Sequence, residues 1–150
     1  MSYGIYQRNH MVIITSSVAE RISDYILSTN NEILAISIMD IRGNIIAANS
    51  KESFKEAFRV TRDGDKYGGS LAVAALAVAN EVREVAGEAE ALITIYKKCN
   101  MMLLPLPSFQ LLIGLVLERS ANVEDYYIIA NNVERLLMDT AKAHNSNNNL

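Results

Sequence analysis

Two apolar runs joined by four turn-forming residues set the pattern of the first half of the chain. Ile33-Leu-Ala-Ile-Ser-Ile-Met-Asp40 ends at Asp40-Ile41-Arg42-Gly43, and Asn44-Ile-Ile-Ala-Ala-Asn49 begins at once. Asp at the first and Gly at the fourth position suit a type I turn, so the spacing predicts a β-hairpin. Upstream, Val18, Ile22, Tyr25 and Ile26 recur at helical spacing behind a capping box, Ser17-Val18-Ala19-Glu20, with Thr29-Asn30-Asn31 as the stop. Met1 to Thr15 is apolar at Tyr3, Ile5, Tyr6, Val12, Ile13 and Ile14 but fits neither period. Lys51 to Phe58 reads as a short helical turn with Phe54 and Phe58 on one face, and Arg59 to Gly69 as a Gly-rich, charged loop.

From Ser70 to Ala86 the pattern predicts a helix whose first stretch, Leu71 to Ala79, has no polar side chain. Gly87 suits the left-handed position past its end. Its core stripe is expected at Leu71, Ala75, Val78, Val82 and Val85. A helix apolar all round must be covered all round. One side can lie on the hairpin's sheet; the other calls for a second partner, which points to an assembly module rather than an enzyme.

Three strands follow in the reading. Ala91 to Tyr96 is β-branched and aromatic, Lys97 to Asn100 makes a turn, and Met101 to Leu104 is closed by Pro105 and Pro107, which cannot sit in a central ladder. Phe109 to Leu117 is almost wholly apolar and reads as the buried middle strand. The last helix is capped at Asn122, with Glu124 and Asp125 complementing its dipole, and carries Tyr126, Ile129, Ala130, Val133, Leu136, Leu137 and Thr140. His144 to Leu150 has nothing apolar before Leu150 and is expected to be disordered. The expected order is α-β-β-α-β-β-β-α, an α+β fold with a single five-stranded antiparallel sheet and helices packed on it. The expected division is 1–16 as an N-terminal extension, 17–141 as the domain and 142–150 as a tail.

The chain has 150 residues, half of them hydrophobic and 21% charged, enough for one core without disulfides or metals. Its formal net charge of −3 argues against nucleic acid as main partner. Cys99, the single cysteine, excludes an intrachain disulfide and fits a reducing compartment. No apolar run is long enough for a signal core or a membrane span, so the expectation is a cytoplasmic protein without membrane insertion.

Three segments together resemble the Roadblock family, the dynein-light-chain-like module related to longin and profilin-like folds. They are Ile38-Met-Asp40-Ile-Arg-Gly43-Asn-Ile-Ile-Ala47, the Ala-rich helix Ser70 to Ala86, and Leu103-Leu-Pro-Leu106 with Leu111-Leu-Ile-Gly-Leu-Val116 leading to Asn122. The likeness spans about residues 17 to 141. It implies a homodimer or heterodimer built by pairing central helices and one edge strand, in a scaffold or regulator of small Ras-like GTPases or motor complexes. The long Asn49 to Gly69 link and the N-terminal segment depart from the compact family pattern. The rival reading is a PAS-like small-molecule sensor, which Asp40, Gly43 and Asn49 partly fit. Such a sensor needs a hollow between sheet and helices, and this central helix offers Ala and Val suited to close packing.

Candidate chemistry is sparse. Gly64-Asp-Lys-Tyr-Gly-Gly-Ser70 resembles a phosphate-binding loop only faintly, since Gly69 stands where such a loop needs Lys. Cys99, Met101 and Met102 are soft ligands, but Met101 and Met102 alternate faces on a strand. His10 and His144 lie in the least patterned segments, and Asp63 and Asp65 are too few for a calcium loop. The expectation is no catalytic site, no cofactor and no metal. The expected dimer interface is Val73, Ala77 and Asn80 on the central helix with Ala91, Ile93 and Ile95 on a strand that carries neither Pro nor charge. Asn80 either fixes the register of a helix seam or marks where the helix meets solvent.

Overall fold

The computed structural model describes residues 5–8, 11–58 and 72–148. In chain order the elements are β1 (Ile5–Arg8), β2 (Met11–Ile14), α1 (Ser16–Thr29), β3 (Ile33–Asp40), β4 (Ile45–Ser50) and α2 (Glu52–Phe58). Then come α3, described over 72–80, α4 (Arg83–Ala86), β5 (Leu92–Ile95), β6 (Cys99–Leu106), β7 (Leu111–Glu118) and α5 (Ile128–Asn148). Five strands form one antiparallel sheet in the order β4-β3-β7-β6-β5, the expected α+β architecture. The apolar run of Leu111–Glu118 does lie in the middle.

Alternation along the strands divides the sheet into two faces. Ile36, Ile38, Met102, Leu104, Ile113, Leu115 and Leu117 form the main core with Val18, Ala19, Ile22 and Ile26 of α1 and Ile129, Val133 and Leu137 of α5. The opposite face holds a smaller cluster, Met39, Leu103 and Leu112, covered by Ala72 with Leu76 and Leu92 beside it. Gly114 sits centrally on that second face. A Cβ there would come 2.6 Å from Ser37 Oγ but 3.9 Å from Ser37 Cβ. Gly114→Ala is therefore expected to cost about 1–2 kcal/mol by overpacking. Adding Ser37→Ala should return most of that stability in a denaturant double-mutant cycle.

The hairpin turn forms as its residues predict. Gly43 adopts φ 84° and donates its N–H to the Asp40 carbonyl at 3.0 Å. Asp40 Oδ1 accepts from Arg42 N at 2.8 Å and Asn44 N at 3.0 Å, while Oδ2 accepts from Asn44 Nδ2 at 2.8 Å. Slight burial pushes the Asp40 carboxyl up, but these hydrogen bonds and the Arg42 charge outweigh it and hold the group below its ordinary value. A carboxylate favoured by folding stabilises above the unfolded value and loses that effect as pH falls through the folded one. Asp40→Ala should thus cost about 1 kcal/mol at neutral pH, and the gap to wild type in urea melts should close below about pH 3.8.

Several expectations need correction. The N-cap of α1 is Thr15, not Ser17: its hydroxyl accepts from Val18 N at 3.4 Å, which places Ser17 inside the helix. Tyr25 is exposed; its place on the inner face goes to Ser23, whose hydroxyl is satisfied by the Ala19 carbonyl at 2.8 Å. Pro105 belongs to β6, opposite Leu112. It is tolerated because β5 pairs no further along β6 than Leu103, so at Pro105 that flank has no β5 partner. β1 and β2 form a separate two-stranded ribbon, β1 lying against α5 and β2 against the 3-10 turn Pro107–Phe109. Asn122 caps a 3-10 turn, Val123–Tyr126, ahead of α5, and α5 runs from Ile128 through Asn148. Helical hydrogen bonds are internal to the segment, so polar residues prolong a helix without needing burial.

The central helix departs most. It is helical over 72–80, turns at Glu81–Val82 and resumes for one short turn to Gly87, which adopts φ 84° as expected. Its inward residues are Ala72 and Leu76, one turn apart. Val78 is 73% exposed and Val85 93%, and Val82 is exposed too. Val78, Val82 and Val85 of the stripe assigned to the core therefore face outward, while Ala75 is half-buried. Leu71 and the loop Arg59 to Gly69 lie outside the described residues.

Candidate interface

Strand β5 is an edge, and its hydrogen-bonding parity decides what it offers. Tyr96 N donates to the Cys99 carbonyl at 2.9 Å, and the ladder continues through Thr94/Met101 and Leu92/Leu103. Pairs that exchange hydrogen bonds alternate in an antiparallel ladder. Leu92, Thr94 and Tyr96 therefore turn their amides and carbonyls toward β6, while Ala91, Ile93 and Ile95 turn theirs to the open edge. The side chains of Ile93 and Ile95 lie on the α1/α5 face, opposite Met102 and Asn100. They are 37% and 61% exposed, whereas Ala91 is half-buried against the main core.

The helical half of the expected interface lies on the other face of the sheet. Ala77 and Asn80 are exposed and Val73 is half-buried, on a helix held down by Ala72 and Leu76. The six residues do not form one continuous patch in a protomer. Val73, Ala77 and Asn80 stand on one side of the sheet, Ala91, Ile93 and Ile95 lie on the other, and the backbone of β5 lies between them. The sequence reading missed the outward Val78, Val82 and Val85, although Glu81, Arg83 and Glu84 beside them marked a solvent-facing segment.

No family model matches the chain, and no curated protein matches it by sequence. Solved structures do match its fold. A Roadblock/LC7 domain from Streptomyces avermitilis superposes with a TM-score of 0.62 at 9% identity, over 79% of this chain and 97% of that one. The gliding protein MglB from Thermus thermophilus gives 0.66 at 11% identity, over 95% and 99%. An MglB with a tetrameric arrangement gives 0.66 at 11% identity, over 95% and 98%. The chain has the Roadblock/LC7 fold.

Within this Roadblock fold the other candidate groups are dispersed. Cys99 is buried, and burial pushes its thiol up, away from the reactive thiolate. Met102 is buried on the core side while Met101 stands exposed on the other. Among the described residues no three of His, Cys, Asp or Glu come together as a metal site, and no helix is long and apolar enough to cross a membrane. His10, Asp63, Asp65 and the Gly64–Ser70 segment lie outside the described residues, as does the side chain of His144. Burial, with the charge of nearby Glu32 adding to it, pushes the Tyr126 phenol up.

Proposed function

We propose that this chain acts as a non-catalytic dimeric regulator of the Roadblock type, directed at a small Ras-like GTPase. The observation that carries the reading is the coincidence of an unprotected β5 edge with an outward α3 face built from Ala and Val. Edge strands are ordinarily blunted by Pro, charge or a bulge, and β5 has none of these among Leu92–Ile95. Pairing two β5 edges extends the sheet, and small residues such as Ala74 and Ala77 allow two α3 helices to approach closely. Likeness in fold to MglB, one structure of which is described as tetrameric, supports an assembling role.

The test has two arms. Light scattering of the purified chain should give twice the protomer mass at micromolar concentration. A panel of purified small Ras-like GTPases, starting with any encoded beside this chain, should include one that binds in a nucleotide-dependent way. A monomer at high micromolar concentration removes the dimer. A dimer that binds no GTPase in either nucleotide state, or a robust intrinsic turnover abolished by one substitution, removes the regulatory reading.

A further inference from the structure

We infer that the cleft between α5, the corner at 105–108 and the residues leading into β5 is a docking groove for an arginine-bearing segment of a partner protein. The inference goes beyond the dimeric reading above and stands on a single protomer. The cleft has a volume of about 520 Å³, in the range of a drug-sized ligand and more than one side chain fills. Residues 88–90 form one wall, 105–108 the second, and Tyr127, Ala130, Asn131 and Glu134 of α5 the third.

The charged groups on those walls are all acidic. Glu88 is engaged by Arg83, whereas Glu90 and Glu134 have neither an ion pair nor a hydrogen bond among the described residues. No Lys, Arg or His lines the cleft among the described residues. The chain leading to it adds Glu81 and Glu84 against Arg83 alone, so the approach is acidic too. An anionic ligand is repelled there, and a cationic one is drawn in.

The backbone adds an independent preference. Leu92/Leu103, Thr94/Met101 and Tyr96/Cys99 are the hydrogen-bonded pairs of β5 with β6. Continuing that alternation along β6 turns the Pro105 carbonyl toward the flank where β5 pairing has ended. The nitrogens of Pro105 and Pro107 carry no hydrogen. This corner thus presents an acceptor without the matching donor, and the walls add the Glu90 and Glu134 carboxylates and the Asn131 side-chain oxygen. A guanidinium spreads five donors over a planar fork, so it reaches acceptors on separate segments better than a compact ammonium. It also stacks on aromatic rings, and Tyr127 is 47% exposed at the cleft. Its methylene stem finds an apolar bed in Ala89, Pro105, Pro107 and Ala130. A lone arginine leaves part of the cleft unfilled; its neighbours in an extended segment complete the contact.

Titrating the isotope-labelled full chain with a blocked peptide, Ala-Leu-Arg-Ala-Arg-Leu-Ala, tests the groove through amide chemical shifts. Shifts should centre on Ala89, Glu90, Ser108, Asn131 and Glu134, with millimolar or tighter binding. Replacing both arginines by citrulline keeps the shape, removes the charge and should weaken binding roughly tenfold or more. Glu90→Gln with Glu134→Gln should weaken it by a similar factor, and Tyr127→Ala should weaken it severalfold. Glu52→Gln with Glu56→Gln removes the same charge from α2 and should leave binding unchanged. No shift at the groove residues up to the peptide's solubility limit overturns the inference, as does a citrulline peptide that binds equally well. Equal weakening by the α2 pair means general charge attraction and overturns it too. Agmatine, a guanidine without a peptide backbone, binding as tightly as the peptide overturns a protein segment as the occupant. Light scattering alongside separates the two readings: a monomer that binds the peptide overturns the dimer alone, and a dimer that does not overturns the groove alone.

Discussion

Ala77→Glu is expected to turn the proposed dimer into monomers while leaving the protomer folded. Ala77 is exposed on α3, so a glutamate there costs a single protomer little. In a twofold helix seam the same carboxylate meets its symmetry mate in a contact made close by Ala and Val side chains. Burying two like charges without partners costs several kcal/mol, and about 3 kcal/mol already corresponds to a dissociation constant weakened roughly a hundredfold. Light scattering over a dilution series measures the loss, and unchanged far-ultraviolet dichroism reports the intact fold. A mutant dimer as tight as wild type removes α3 from the interface. Ala77→Ser, small and uncharged, should keep the dimer.

The other large effect belongs to the interior. Ile113→Ala removes a fully buried side chain from the middle of β7, between β3 and β6, where both helices of the main core close over it. Truncation there should cost about 2–5 kcal/mol, the transfer of the lost methylenes plus the cavity left behind. Val85→Ala, at a position 93% exposed, should stay within about 0.5 kcal/mol in the protomer. Urea unfolding of the two variants at a concentration where the chain is monomeric separates the core from the stripe that periodicity had assigned to it. A Val85 variant as damaging as the Ile113 one would mean α4 is packed inward.

These expectations depend on features of different legibility. Turn chemistry is local: Asp40 supplies its own acceptors for Arg42 and Asn44 and Gly43 takes the left-handed position, so four residues were enough to place the hairpin. The β7 run is apolar on both faces because both sheet faces are covered, and that property is written in its composition. In α5 the polar positions interrupt the apolar ones with a helical period, so the buried set, Ile129, Val133 and Leu137, followed directly.

The central helix carries no such interruption between Leu71 and Ala79. With apolar residues on every side, its period says that it is a helix but not which side turns inward. That choice was made by Met39, Leu103 and Leu112, which present a small apolar cluster to which Ala72 and Leu76 fit. The place of Pro105 likewise depended on how far β5 runs along β6, a long-range pairing that no neighbouring residue encodes. The split of the expected interface between two faces also lies beyond sequence, because it is fixed by which face of the sheet α3 covers. Short-range chemistry determined the hairpin, the middle strand and the last helix. Only the assembled sheet decided which apolar residues are buried and which are left for a partner, because burial depends on what another element brings to the same place.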